Sequence, residues 1–233
     1  MKKLYLFGDS FSMIDSTLKE YNKKHLEVNA HFSISNEHII KLAKLKLLKL
    51  IKEGVKNSNI LIQLTVPNRM LIINSNKLKH SISNSENLSY SYDHLLFADL
   101  EIFEKDMYST LYPYTAIASD LVFKNLFVPY QTYIVENNHK KLIKDWEMEL
   151  NLLILLGKSY NINIEYFYYT NDYDAILNKS ESGLHIKFEG LHSLETFLKK
   201  NFEYSYFFSK LDKHFNQSGI FWYLKFLKER YDF

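Results

Sequence analysis

Two spacings of apolar residues alternate along the chain. Residues 3–7 (KLYLF) form a short apolar run that stops at Gly8, and residues 59–65 (NILIQLT) form another that stops before Pro67. Residues 162–169 (INIEYFYY) make a third run. Uninterrupted runs of this length read as buried strands. Residues 26–30 (LEVNA) read as a weaker strand. Between the runs the spacing becomes helical. Residues 36–56 carry Ile39, Ile40, Leu42, Ala43, Leu47, Leu50 and Ile51, with Lys41, Lys44, Lys49 and Lys52 interleaved. That pattern predicts a helix with a basic, solvated face. Asn36 is the expected N-cap, and Gly54 lies near the far end. Further helices are expected over 140–156 and over 217–230, the latter with Phe221, Leu224 and Leu227 on one face. The first 67 residues then run strand, helix, strand, helix, strand, the order of a parallel α/β sheet.

Residues 74–138 break this alternation. They open with a polar run over 74–91 and continue into an aromatic stretch with Tyr108, Tyr112, Tyr114, Phe123, Phe127, Tyr130 and Tyr133. The segment reads as a mainly helical insertion into one domain spanning 1–233. Its rings are candidates for a wall over a ligand, although packing of the core and of a lid accounts for most such clusters.

Composition narrows the function classes. The chain has 233 residues, 46% apolar and 24% charged, enough to bury a core without staples. It contains no cysteine, which excludes disulfides, thiolate metal sites and a cysteine nucleophile. A net charge of +2 gives no reason to expect a nucleic-acid partner. The apolar run ahead of Gly8 is too short for a leader peptide, and no stretch approaches the roughly 18 apolar residues of a membrane span. A cytoplasmic location is therefore expected. His185 and His192, near Glu189 and Glu195, match no common metal spacing, so no metal or other cofactor is expected. Asp172 and Asp174 read as a turn. Glycine is scarce, with six in all, and aromatic residues are abundant, with 18 Tyr and 17 Phe.

The chemistry sits at the two ends. Gly8-Asp9-Ser10 follows the first strand directly, which places a serine in a strand-to-helix turn at the carboxyl edge of the sheet. Backbone N–H groups there favour developing negative charge. Near the other end, Asp212-Lys213-His214-Phe215-Asn216 precedes the last predicted helix. A serine nucleophile needs a base, and the base needs a carboxylate to hold its tautomer. Asp212 and His214 supply that pair.

Together these two motifs resemble the SGNH hydrolase superfamily, the GDSL-type esterases and lipases. The resemblance covers residues 3–69 and about 205–230. It implies a three-layer α/β/α sandwich with a central parallel sheet of the flavodoxin-like kind. It also implies an acyl-enzyme mechanism with Ser10, Asp212 and His214 as catalytic residues. The family's second block holds an oxyanion-binding glycine where this chain has Ser33, and Ser33 can still offer its N–H. The third block is replaced by a Q-x-T-x-P-x-R stretch. There Asn68 is the candidate side-chain donor, Thr65 the alternative, and Arg69 a neighbour of the site. The expected oxyanion donors are therefore Ser10, Ser33 and Asn68. The implied substrate is a small-molecule or glycan acyl ester, with acetyl the expected acyl group. Water as acceptor makes the protein an esterase, and a sugar hydroxyl makes it an O-acetyltransferase of a cytoplasmic glycan or its precursor. A silent binding module on the same fold is the third alternative. The oligomeric state is not legible.

Overall fold

In a computed structural model of the chain, residues 2–12, 25–30, 35–65, 70–73, 108–111, 139–177, 184–209 and 212–232 are described. Four strands form one parallel sheet: β1 (Leu4–Gly8), β2 (Leu26–Ala30), β3 (Ser58–Leu64) and β6 (Ile162–Tyr168). Their spatial order is β2-β1-β3-β6. β1 is therefore flanked by β2 on one side and β3 on the other, and the connections diverge at its carboxyl end. Crevices that hold ligands in open parallel sheets form at such divergence points.

Strand alternation assigns the two faces of the sheet. Tyr5, Phe7, Ile60, Ile62, Leu64, Ile164 and Tyr166 pack beneath α1 (Asn36–Lys52) and α2 (His139–Ser159). Leu4, Leu6, Leu61, Phe167 and Tyr169 pack beneath α3 (Leu194–Phe202) and α4 (Gln217–Tyr231). The sheet is thus covered on both sides, which is why β1 and β3 are apolar without polar alternation.

The expected N-cap moves by one residue. Ser35 caps α1, its hydroxyl accepting from the His38 N–H at 3.3 Å, and Asn36 is instead buried inside the first turn. The helix ends as expected near Gly54, which takes φ +68° just past the Glu53 cap. α3 has no counterpart among the predicted helices.

Within 74–138 the described residues are Tyr108–Leu111, and they form a strand, β5, paired antiparallel with β4 (Met70–Ile73). The helical content expected of the insertion, and its aromatic residues other than Tyr108, lie outside the described residues. Much of the aromatic mass instead fills the layer beneath α3 and α4. There Phe188, Phe197, Phe202, Trp222 and Phe226 meet ring to ring at centroid distances of 5.6–6.3 Å. Tyr168 is a buried ring that also donates. Tyr168 Oη donates to Glu147 Oε1 at 2.9 Å, and burial holds the Glu147 carboxyl above its usual range. No described helix is long and apolar enough to cross a membrane.

The outer edge of β6 is partly covered by the segment around Ile186, whose N–H donates to the Tyr166 carbonyl at 2.8 Å. This segment buries His185, with its Nε2 3.0 Å from His192 Nδ1. Among the described residues no group of three or more metal-ligating side chains forms. Burial, helped by His192 and Lys187, pushes the His185 imidazole down to about 4. An unfolded imidazole takes up its proton below about pH 6.5. The folded chain therefore loses stability as pH falls from there towards 4, by about 3 kcal/mol at most. Urea melts of wild type and His185→Phe are expected to diverge in this window. The variant should lose less stability than wild type between neutral pH and pH about 4.5.

Candidate active site

The divergence point between β1 and β3 is plugged by a buried polar network. Asp9 follows β1 and has no solvent exposure. Its Oδ1 accepts from the Phe11 N–H at 3.0 Å and from Gln63 Nε2 at 3.2 Å, and its Oδ2 accepts from Thr65 Oγ1. Its carbonyl accepts from the Ser12 N–H at 2.9 Å. Ser12 Oγ in turn donates to Gln63 Oε1. These bonds curl residues Ser10–Ser12 into one 3₁₀ turn, so the serine of the Gly-Asp-Ser motif lies between anchored neighbours.

Gly8 is explained by close approach. A Cβ there would overlap Ser12 Oγ and lie 2.9 Å from Ser12 Cβ and 3.2 Å from Gln63 Cβ. It is absent from the residues with positive φ, so the requirement is space. Gly219 is needed for a similar reason: a Cβ would overlap the Tyr206 carbonyl oxygen and lie 2.8 Å from Phe215 Cδ1.

Asn36 locks the end of β3. Its Oδ1 accepts from the Thr65 N–H at 2.7 Å, and its Nδ2 donates to the Thr65 carbonyl at 3.1 Å and to Tyr173 Oη at 2.7 Å. Tyr173 Oη also donates to the Thr65 carbonyl. The amide thus takes the place of a neighbouring strand for a residue that has run past the sheet. Thr65 serves this scaffold, with its hydroxyl turned to Asp9.

The other half of the site is a loop ahead of α4. Asn216 caps that helix through the Gly219 N–H at 3.0 Å and ties the loop back through the carbonyls of Ser205 and Phe207, at 2.7 and 2.9 Å. His214 Nδ1 lies 2.6 Å from Asp212 Oδ1, and the His214 backbone N–H donates to the same oxygen at 3.0 Å. That backbone N–H, then the imidazole, hold the Asp212 carboxyl below its usual range. With Nδ1–H turned to Asp212, the lone pair of a neutral ring falls on Nε2. Buried Tyr169, just past β6, donates its hydroxyl to the Lys213 carbonyl at 2.6 Å. Burial pushes that hydroxyl well above its usual range, so it stays a donor.

Phe11 joins the two halves. Its ring stacks on Tyr169 at 4.5 Å and on His214 at 4.6 Å. Phe11, Asp212, Lys213 and His214 line an open cleft of about 380 Å³. The residue next to Ser10 is therefore in ring contact with His214, although almost the whole chain separates them in sequence. Ser33, Asn68 and Arg69, and the side chain of Ser10, lie outside the described part of the structure. Phe11, Asn36 and Tyr173 were not among the residues read from sequence as part of the site. The signal for Phe11 is the aromatic residue directly after the motif serine. Tyr173 has no signal of its own, because it reaches Thr65 only through the fold.

A comparison of the chain with protein-family models, curated proteins and solved structures finds no match.

Removing the Asn36 side chain takes the amide away from both backbone groups of buried Thr65 and leaves the carbonyl its bond from Tyr173. Asn36→Ala is expected to cost about 2–4 kcal/mol in urea unfolding.

Proposed function

We propose that the protein is a serine ester hydrolase of the SGNH/GDSL type, working through an acyl-enzyme on a small or carbohydrate-linked acyl ester, with acetyl as the expected acyl group. The observation that carries this reading is the ring contact between Phe11 and His214, which sets the Gly8-Asp9-Ser10 turn beside a histidine already paired with a carboxylate. The order Ser, Asp, His along the chain supports it, as does a site at the divergence point of a parallel sheet. The strand order supports the finer reading of a flavodoxin-like SGNH sandwich.

In this reading His214 Nε2 takes the Ser10 hydroxyl proton as Ser10 Oγ attacks the ester carbonyl. Asp212 holds the ring in that tautomer and stabilises the imidazolium. The tetrahedral oxyanion is bound by the N–H groups of Ser10 and Ser33 and the Asn68 side chain, each donor being worth about 3 kcal/mol. Thr65 is the weaker choice as a donor because its hydroxyl already faces Asp9. The imidazolium returns its proton to the departing alkoxide, leaving acyl-Ser10. Water then attacks the acyl group, His214 takes the water's proton, and the acid leaves as that proton returns to Ser10. Hydrolysis is favoured over transfer because the His214 side chain is 40% exposed at an open cleft.

Ser10→Ala is expected to abolish release of p-nitrophenol from p-nitrophenyl acetate and to remove labelling by a fluorophosphonate probe. His214→Ala and Asp212→Asn are expected to lower kcat on the order of 10³-fold or more. Full activity in Ser10→Ala would overturn the assignment. Acetyl transfer that outruns hydrolysis when a glycan acceptor is added would replace the hydrolase with an O-acetyltransferase.

A further inference from the structure

The helix layer of α1 and α2 carries apolar side chains that the core does not use. α2 turns Ile143, Trp146, Leu150 and Leu153 onto the sheet, all of them buried. Its opposite side carries Met148, Leu152 and Leu155, at the i, i+4, i+7 spacing of a single stripe, and these are 61–63% exposed. α1 lies alongside, with Lys44 Nζ 3.6 Å from Glu149 Oε1. Both helices lead directly into parallel strands, α1 into β3 and α2 into β6, so they run in the same direction. One turn beyond the ion pair come Leu48 on α1 and Leu152 on α2, both exposed. A single exposed leucine is ordinary. Here six of the nine large apolar residues that are exposed among the described ones fall together, with Leu156 and, just past α2, Tyr160 completing the set. Exposure concentrated in this way marks an interaction surface.

The rim of the patch is basic. Lys44 and Lys52 stand one turn to either side of Leu48 on α1. Lys144 stands one turn before Met148 on α2, and Lys158 follows Leu155 by three residues. All four are exposed. Together α1 and α2 hold nine lysines and four acidic residues, whereas the whole chain has a net charge of +2, so positive charge is concentrated on this layer.

That rim decides the partner. A second copy of the chain, related by a two-fold axis, would bring lysines against lysines. An anionic surface is complementary to them instead. The stripe projects from the convex side of a helix, and a fluid lipid interface can close around projecting side chains. We propose that this face of α1 and α2 docks on an anionic lipid bilayer. Met148, Leu152 and Leu155 enter the headgroup region, and Lys44, Lys52, Lys144 and Lys158 meet the lipids' negative groups. The helices lie on the membrane and do not cross it.

The test floats the full chain with vesicles of phosphatidylcholine, either alone or with about 30% phosphatidylserine. Wild type is expected to float with the phosphatidylserine vesicles and about fivefold less with phosphatidylcholine alone. Flotation should fall as sodium chloride is raised to about 0.5 M. The double variants Leu152→Ser with Leu155→Ser, and Lys144→Glu with Lys158→Glu, are each expected to weaken binding about tenfold. These side chains are exposed, so the changes cost little stability, and circular dichroism melts check that the fold is kept. In Leu152→Trp, brominated acyl chains should quench indole emission more than in wild type, which has Trp146 and Trp222. Absence of flotation with anionic vesicles overturns the proposal. Flotation that both double variants retain overturns it too, as does absence of added quenching. A lipid-free dimer in sedimentation equilibrium that the leucine substitutions disperse assigns the face to a second copy and overturns it as well.

Discussion

A carboxyl group with no exposure to water sits where β1 and β3 part company. Burying such a group is costly unless its oxygens are satisfied, and Asp9 is satisfied by groups from three directions. Phe11 donates to the carboxyl from its own turn, where Ser12 bonds the Asp9 backbone carbonyl, Gln63 donates from the adjacent strand, and Thr65 from beyond that strand's end. Each partner is held in turn: Thr65 by Asn36 and Tyr173, Gln63 by Ser12. The turn that presents Ser10 is therefore shaped by polar bonds that water cannot compete for. Such a network is strong when complete and a liability when one member is missing. The scarcity of glycine fits this arrangement, since the turn draws its shape from side-chain hydrogen bonds and asks of Gly8 only that it leave room.

The centre of the sheet was legible because β1 and β3 are buried on both faces. Such strands announce themselves as apolar runs, and the predicted limits of β2, α1, β3, β6 and α4 fall within a few residues of those observed. β4 and β5 were not legible, since four-residue strands paired with each other carry little period. α3 was missed for a related reason: it is only nine residues long, with buried Leu194, Glu195 and Leu198 on its inner side. Asn36 was misread because asparagine ahead of an apolar helix looks like a cap. Only the fold reveals that Ser35 does that work and frees the amide for Thr65.

In the candidate site, the local pairing was legible and the long-range assembly was not. Asp212 and His214 are two residues apart, and their contact follows from a turn. The approach of His214 to the first strand's end depends on Tyr169, which fixes the Lys213 carbonyl, and on Phe11, which fills the gap between Tyr169 and His214. Aromatic abundance in the sequence pointed towards the insertion. In the fold many of the chain's rings pack the layer beneath α3 and α4, and Phe11 surfaces at the cleft.

The three-ring stack of Tyr169, Phe11 and His214 ties the first strand's turn to the loop before the last helix. Closing a contact across that much chain carries a large entropic cost, and the return comes only once the intervening elements have docked. The cleft therefore has no precursor in any fragment of the chain. A nascent polypeptide still emerging from the ribosome carries the Gly8-Asp9-Ser10 segment without the loop of His214, and the cleft comes into being only when α4 docks on the sheet.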